Sequence, residues 1–352
     1  MTREHGPLPR LLAPASWLAA RCYGLGVRLR NQGFDSAEGI EILEVHGCRV
    51  PVVSVGNVTA GGTGKSPFVA WICNELTRMG KRPVIAMRGY RSQANAQGAR
   101  VSDEAQEYAL SAPSALVVVG ARRLARLREV LSCPTVAQWI HDAVVVLDDG
   151  FQHRQLARTM DIVLVDATRH ALDGDLLPHG WLREPAGALR RAAVVIVTKA
   201  NDDAQREQAC AAVARVRGCA PDATCRSTWS ALSVYEDGVE RIERVDWLTR
   251  RRVIVASAIG NPAQFRVAVE LAGAEILAEF RQGDHRRFAL HQIETALREN
   301  ASAQGCVLTR KDFVKLQGVV RGTLIVPKLS LQFSASDEQG LLAAIRASVP
   351  LQ

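Results

Sequence analysis

The chain has 352 residues, 47% of them hydrophobic and 23% charged, and carries a formal net charge of +8 at pH 7. This composition excludes an intrinsically disordered chain and gives room for two globular domains. The positive charge suits an acidic partner, but no aromatic residues are interleaved with the arginine clusters to stack on nucleic-acid bases. The eight cysteines form no CxxC pair and no metal-ligand spacing, so we expect reduced thiols in a cytosolic compartment.

The first predicted element is an apolar segment, residues 11–29, that contains Pro14 and Arg21. Its apolar stretch is short for a full membrane span. An amphipathic helix in the membrane interface fits, with Trp17 and Tyr23 at headgroup level and arginines facing anionic lipid. A helix packed on its own domain fits the pattern equally well, so the residues alone leave both interpretations open.

A strand followed by a glycine-rich loop is predicted at residues 52–67, VVSVGNVTAGGTGKSP. Strand, glycines, Lys-Ser and helix together indicate a P-loop, whose backbone N–H groups and helix N-terminus bind phosphates. Lys65 would reach the β- and γ-phosphates and Ser66 would bind magnesium. The strict pattern has glycine where this chain has Thr59, so the match is to a variant loop. The predicted nucleotide-binding residues are Thr59, Ala60, Gly61, Gly62, Thr63, Gly64, Lys65 and Ser66.

Apolar runs alternate with helix-like segments after the loop. Strands are predicted at 83–87, 115–119, 143–147, 162–165 and 194–198. Their near-continuous valines and isoleucines indicate strands buried on both faces, so the predicted fold class is α/β, a parallel sheet sandwiched by helices. Ligands bind such sheets at the carboxyl ends of the strands, where the loops after Val55, Leu147 and Val165 would converge.

A polar stretch at 229–250 interrupts this rhythm and predicts a linker or short ribbon. Strands and helices alternate again over 251–352, which predicts a second, smaller α/β domain. The predicted organisation is therefore an N-terminal helix at 1–30, a P-loop domain at 31–228, the linker, and the smaller domain.

Two acids follow a buried strand in the run AVVVLDDG, residues 143–150. An apolar strand that ends in acids is typical of a Walker B element, which delivers a carboxylate to magnesium. Paired acids also fit the start of a turn. The continuation makes DDGFQHR, from Asp148 and Asp149 onward, a distinctive sequence.

Further polar segments lie where such a sheet would place its active site: RGY (88–90), SDEA (102–105), LREP (182–185) and GDH (283–285). Each alone fits a capping acid or a solvated loop. With the variant loop, DDGFQHR, GNPAQF and LTRKD they form a series of motifs that runs from about residue 50 to 315. The order along the chain is the loop, RGY, SDEA, DDGFQHR, LREP, GNPAQF, DH and LTRKD, and this series resembles the tetraacyldisaccharide 4'-kinases of Gram-negative bacteria.

The resemblance implies a P-loop kinase-like fold and transfer of the γ-phosphate of ATP to the 4'-hydroxyl of a tetraacylated glucosamine disaccharide 1-phosphate. The product would be lipid IVA, an intermediate of lipid A biosynthesis. ATP and Mg²⁺ are the cofactors that it implies. Since a substrate with four acyl chains resides in a bilayer, the resemblance favours a helix 1–30 that associates with a membrane. We expect the protein at the cytoplasmic face of the inner membrane, peripheral or held by a single N-terminal helix, with the lipid A disaccharide 1-phosphate and the membrane surface as partners and no nucleic acid.

Roles for individual residues also follow from the resemblance. Lys65 would neutralise the transferred phosphates. Asp103 would accept the proton of the sugar hydroxyl, and His285 would orient Asp103 when the smaller domain closes the active-site cleft. The metal site would consist of Ser66, Asp148, Asp149 and Glu184, with Arg183 in support.

The chain departs from the family pattern at a few of these positions. Ser102 and Ala105 replace the usual glycine and proline around the Asp-Glu pair, which leaves the loop geometry at Asp103 open. Arg286 stands where a second histidine is common, so its charge would instead suit a substrate phosphate.

Two other functions use a related loop: a P-loop GTPase and a partitioning-type ATPase switch. Partitioning ATPases have lysine where this chain has Ala60. Residues 198–201, TKAN, nearly form the guanine-reading TKxD motif, but Asn201 replaces its aspartate. Neither alternative accounts for DDGFQHR and LREP.

Overall fold

The structure is a computed structural model that describes residues 13–36, 39–89, 93–94, 100–169, 171–283, 288–316 and 320–349. The chain divides into two compact units. The first unit comprises Met1–Ser102, Tyr108–Ser227 and Leu331–Gln352, and the second comprises Asp103–Glu107 and Thr228–Ser330.

Helices and strands alternate through the described residues. The helices are α1 (Ala13–Asp35), α2 (Lys65–Arg78), α3 (Asp103–Ser111), α4 (Arg123–Leu131), α5 (Pro134–Ala137), α6 (Asp203–Arg217), α7 (Pro262–Leu271), α8 (Leu290–Glu299), α9 (Arg310–Phe313) and α10 (Ala335–Ser348). The strands are β1 (Glu44–Val45), β2 (Cys48–Arg49), β3 (Val52–Gly56), β4 (Arg82–Met87), β5 (Gln93–Ala94), β6 (Arg100–Val101), β7 (Leu116–Val119), β8 (Ala143–Asp148), β9 (Met160–Asp166), β10 (Val194–Thr198), β11 (Ala223–Glu236), β12 (Val239–Glu243), β13 (Arg252–Ser257), β14 (Glu275–Arg281), β15 (Cys306–Leu308) and β16 (Thr323–Phe333). Short 3-10 helices occupy Ile140–Asp142, Ala171–Asp173, Ala186–Arg191 and Val245–Leu248.

The sheet of the first unit is parallel and has the strand order β11-β10-β9-β3-β8-β4-β7. Every residue of β3 and of β10 is buried. Helices α2, α4 and α6 pack against strands of this sheet. The predicted α/β fold with a helix-covered parallel sheet is therefore confirmed, and β3 lies between β8 and β9 at its centre.

A glycine allows the chain after β8 to fold back onto β3. A Cβ atom at Gly56 would lie 2.5 Å from the Cβ of Phe151 and 2.7 Å from its backbone nitrogen. The backbone N–H of Gly150 donates to the carbonyl of Val55 at 3.0 Å. Only a residue without a side chain fits at the end of β3, so the two acids at the end of β8 lie beside the loop that follows β3.

The second unit is also α/β. Its sheet has the order β14-β13-β15-β16-β11, with β13, β14, β15 and β16 paired in parallel. Strands β11 and β12 form an antiparallel hairpin through Asp237 and Gly238, both of which have positive φ. The polar stretch around 229–250 thus contains a ribbon. Helices α7 and α8 pack on β13.

The last segment of the chain belongs to the first unit, although the sequence suggests one continuous second domain over 251–352. The ring of Phe333 packs on Trp71 of α2, with centroids 5.0 Å apart. Asp337 of α10 accepts a hydrogen bond from the backbone N–H of Thr224 at 2.8 Å. These contacts tie residues after 330 to the first unit.

Candidate active site

The glycine-rich loop connects β3 to α2 and leaves a set of backbone donors free. Gly61 and Gly64 have φ of +103° and +82°, a conformation that glycine adopts without strain. Gly64 is the N-cap of α2 and makes no side-chain capping bond. Within the described residues, the N–H groups of Gly61 to Ser66 have no acceptor. Free N–H groups at a helix N-terminus form an anion site, so the loop is suited to bind phosphates.

Lys65 is the first residue of α2, and its ammonium lies 3.5 Å from the Oδ1 atom of Asp149. Its side chain is 14% exposed. Burial lowers the pKa of Lys65, and the negative charge of Asp149 opposes that shift. The carboxylate therefore favours the charged form of a largely buried lysine beside the loop.

Asp149 follows β8 and is bonded by two arginines in addition to Lys65. The guanidinium of Arg183 donates to both carboxylate oxygens at 2.8 Å, and Arg123 donates to the Asp149 backbone carbonyl at 3.2 Å. Burial would raise the pKa of Asp149, but Lys65 and Arg183 outweigh it and hold the pKa below its ordinary value. Asp149 thus remains ionised between cations that come from two other segments.

Asp148 has the opposite environment. Burial raises the pKa of its carboxyl, and the charge of Lys65 and a hydrogen bond with Tyr108 offset only part of the shift. The two adjacent acids therefore differ in how readily they ionise, a difference that the sequence could not assign.

The described residues contain no cluster of three or more His, Cys, Asp or Glu side chains able to hold a metal ion. Asp148, Asp149 and the hydroxyl of Ser66 fit magnesium nevertheless, because this ion is commonly bound by one or two carboxylates together with phosphates and waters.

Glu184 does not join this group. Its side chain is 0% exposed and lies 2.8 Å from Arg191, and Asn31 of α1 donates to it at 2.9 Å. Burial would raise the pKa of Glu184, but the hydrogen bond and charge of Arg191 hold it below its ordinary value. The LREP segment therefore divides: Arg183 reaches Asp149, whereas Glu184 faces α1 and Arg191. The structure gives no support to Glu184 as a metal ligand.

The later residues of DDGFQHR bond to the loop and to α1, the segments that surround the site. Gln152 donates to the carbonyl of Asn57 in the loop at 2.8 Å. Arg154 pairs with Asp35 of α1 at 2.7 Å. Burial, with the nearby charge of Arg123, lowers the pKa of His153 to about 4, so its imidazole is neutral at physiological pH.

Helix α1 packs on the first unit along one side and exposes leucines on another. The hydroxyl of Tyr23 donates to the Arg183 carbonyl at 2.8 Å. Leu18, Leu25 and Leu29 are 61%, 59% and 61% exposed. Among the described helices, none is long and apolar enough to cross a membrane. One face of α1 therefore fits a helix packed on its own domain, and the face with the exposed leucines fits a helix at a membrane interface.

The two residues that the resemblance assigns to proton transfer are described unequally. Asp103 is the first residue of α3, is half-buried, and falls in the second unit. His285 lies outside the described residues, so its role stays a prediction. The same holds for Tyr90 of RGY.

Sequence reasoning missed four side chains that hold the site. Arg123 is one of two consecutive arginines, residues 122–123, a charge run that is more typical of a solvated surface, yet it is 7% exposed. Arg169 donates to the carbonyl of Ala60 at 3.3 Å, Lys199 to that of Gly62 at 2.7 Å, and Thr198 to that of Thr63 at 2.8 Å. The partial TKxD motif was the one signal that pointed to Thr198 and Lys199.

Comparisons with known proteins agree with the geometry. A family model, LpxK, described as Tetraacyldisaccharide-1-P 4'-kinase, matches residues 8–349. The chain is 34% identical over 328 residues to a Tetraacyldisaccharide 4'-kinase of Anaeromyxobacter dehalogenans strain 2CP-C, covering 88% of this chain and 83% of that protein. It is 30% identical over 355 residues to one of Geobacter sulfurreducens, covering 97% and 95%. Its fold is similar to a crystal structure of LpxK from Aquifex aeolicus in complex with ATP, with a TM-score of 0.70, 25% identity, and coverage of 96% of this chain and 98% of that one.

The opposite environments of the two acids give opposite expectations for their asparagine variants. The pKa of Asp148 is raised on folding, so its ionised form costs stability at pH 7.5, and the cost disappears as the pH falls toward about 4. Asp148→Asn should therefore raise the free energy of unfolding at pH 7.5. The pKa of Asp149 is lowered, so its charge stabilises the fold above about pH 4 and the contribution is lost below. Asp149→Asn should be destabilising, by less because that side chain is 37% exposed.

Urea denaturation of both variants at pH 7.5 and pH 5 measures the two effects. Shifts of the same sign at pH 7.5 would contradict the assignment of distinct environments.

Proposed function

The chain belongs to the tetraacyldisaccharide 4'-kinase family, and from this membership we propose how its residues carry out the reaction. The protein is a kinase that uses ATP to phosphorylate the 4'-hydroxyl of tetraacyldisaccharide 1-phosphate, a step of lipid A biosynthesis. The match of the family model over residues 8–349 carries this conclusion. A GTPase is not favoured, since both ends of the Asn201 side-chain amide are bonded to the backbone of Ser227. A partitioning ATPase is not favoured either, since Ala60 stands where such enzymes have lysine.

The loop and Lys65 bind the phosphates of ATP. Phosphoryl transfer needs mainly positioning and neutralisation of charge. Before nucleotide binds, Asp149 supplies the negative charge that Lys65 requires. When the β- and γ-phosphates enter, they provide that charge, and the free N–H groups at the start of α2 bind the phosphate oxygens.

Ser66, Asp148 and Asp149 are the residues that would hold Mg²⁺. The ion would neutralise charge on the phosphates and orient them. Glu184 is instead a positioning residue: its bonds to Asn31 and Arg191 fix the segment that presents Arg183 to Asp149.

Asp103 is the proposed general base. It accepts the proton of the 4'-hydroxyl while the sugar oxygen bonds to the γ-phosphorus and ADP leaves. His285 orients Asp103. Support for both roles comes from the family resemblance of SDEA and of the Asp-His pair at 284–285.

Membrane association through α1 completes the proposal. Leu18, Leu25 and Leu29 are spaced by seven and four residues, so they share one helix face, and all three are exposed. Four acyl chains keep the substrate in a bilayer, and an exposed apolar face beside arginines suits the interface of an anionic membrane. We place the protein peripherally on the cytoplasmic face of the inner membrane.

The base is tested in a kinase assay with ATP, magnesium and detergent-dispersed disaccharide 1-phosphate. Asp103→Ala and Asp103→Asn should each lower kcat by about two to four orders of magnitude with ATP affinity unchanged, because a positioned base is lost. The asparagine can still support the start of α3. Asp203→Asn, which removes the first acid of α6, is the matched control and should keep full kcat.

A near-normal kcat of Asp103→Asn would show that Asp103 is not the base. Absence of turnover by the wild-type protein, under conditions in which a verified family member is active, would contradict the kinase function itself.

The membrane proposal is tested with the triple variant Leu18→Gln, Leu25→Gln, Leu29→Gln. Burying a leucine is worth about 1.5–3 kcal/mol when complete, so losing three partly inserted leucines should weaken binding to anionic phospholipid vesicles more than tenfold. Deleting residues 1–30 would be less informative, because it also removes the contact of Tyr23 with Arg183. Leu110→Gln, at a leucine of α3 that is 52% exposed, is the matched control. Unchanged cosedimentation of the triple variant would refute the anchor.

A further inference from the structure

Three side-chain contacts to backbone carbonyls fix the nucleotide loop from the ends of β9 and β10. Lys199 donates to the carbonyl of Gly62 at 2.7 Å, and Thr198 donates to that of Thr63 at 2.8 Å. Arg169 donates to the carbonyl of Ala60 at 3.3 Å. The donors are side chains of strand ends or of the turn after β9, so the rigid sheet sets the orientation of these loop peptides.

Fixing a carbonyl also fixes the next N–H group. A trans peptide is planar and directs its N–H opposite to its C=O. With the carbonyls of Ala60, Gly62 and Thr63 turned toward the strand ends, the N–H groups of Gly61, Thr63 and Gly64 are directed away from them. Those N–H groups have no acceptor among the described residues. They are therefore presented to a phosphate by the side chains behind them.

Lys199 is itself held in place. Its ammonium lies 2.7 Å from the Oδ2 atom of Asp166, whose side chain is 2% exposed. The other oxygen of Asp166 accepts from the backbone N–H and the hydroxyl of Thr168 at 2.9 and 2.6 Å. Lys199 has a φ of +54°, an uncommon conformation for a residue with a side chain. Such a backbone persists where surrounding contacts over-determine it, as they do at functional sites.

We propose that Lys199 is a positioning residue for ATP, which holds the Gly62 peptide so that the loop N–H groups face the phosphates. The inference deepens the kinase function and rests on it. Asp166 is the anchor of Lys199. The segment that resembles a guanine-reading motif thus acts on the phosphate loop, while Asn201 bonds to Ser227.

Lys199→Met keeps most of the length of the unbranched side chain and removes its donor and charge. We expect the KM for ATP to rise about tenfold, the usual worth of a charge-assisted hydrogen bond. The kcat at saturating ATP and the KM for the disaccharide should stay within about twofold of wild type, since the loop is still populated in its binding geometry when ATP is abundant. Steady-state kinetics with each substrate varied in turn measures this split.

Lys81→Met is the matched control. Lys81 also lies near an acid, with Asp142 at 4.0 Å, and it is a buried lysine just beyond the opposite end of α2. Its removal tests the general cost of losing a lysine that is paired with an acid, and the KM for ATP should not change. Thr198→Val keeps the branched shape and loses the hydroxyl that bonds to the Thr63 carbonyl at 2.8 Å and to the Val165 carbonyl at 3.3 Å. It should raise the KM for ATP by a smaller factor and serves if Lys199→Met does not fold.

Three results would overturn the proposal: a KM for ATP within twofold of wild type in Lys199→Met, a fall in kcat with that KM unchanged, or an equal rise in the KM of both substrates. Calorimetric titration with ATP separates this proposal from the kinase function. If the wild type binds ATP without phosphorylating the disaccharide, a weakened ATP affinity of Lys199→Met still supports the role of Lys199.

Discussion

A single carboxylate shared by two cations is the constraint on which the phosphate site depends. Asp149 stands between Lys65, from the helix after β3, and Arg183, from the segment before β10. A largely buried lysine without a counter-charge would either lose its proton or move toward solvent, because an unpaired charge is costly away from water. The three residues come from separate parts of the chain. The phosphate site therefore exists only once β3, β8 and the turn at Arg183 are assembled around the same centre.

Local sequence patterns predict the central residues of this site. They do not predict the partners of its buried charges. Strand, glycines and Lys-Ser occur within one short stretch, as do the apolar run and acids of β8, and each was recognised from its own residues. The role of Glu184 depends on its hydrogen bond with Asn31 of α1. These two residues are too far apart in the chain for a local sequence pattern to show the contact. Arg123 looked like a solvated arginine for the same reason, since burial is decided by what packs over it. Nor could adjacent acids be told apart before their neighbours were known.

The side chains of the DDGFQHR motif contact different parts of the first unit, which explains why the motif is long. The aspartates face the loop lysine, Gln152 supports a loop carbonyl, and Arg154 binds α1. Phe151 fills the space that Gly56 leaves open. One turn thus connects the phosphate loop, the sheet and the N-terminal helix. A substitution anywhere in this turn acts on a different partner, so changes of similar chemistry need not have similar effects.

The return of the chain to the first unit at Leu331 has a consequence for how the protein is made. The second unit is an insertion within the first, and α10 is formed from residues that the ribosome synthesises after both Asp149 and the whole inserted unit. Until then the aromatic surface of Trp71 on α2, the helix that begins with Lys65, lacks Phe333. Because domains fold as units while synthesis proceeds from the N-terminus, the inserted unit is free to fold first. The nucleotide-binding unit, although it begins earlier in the chain, reaches its full packing last.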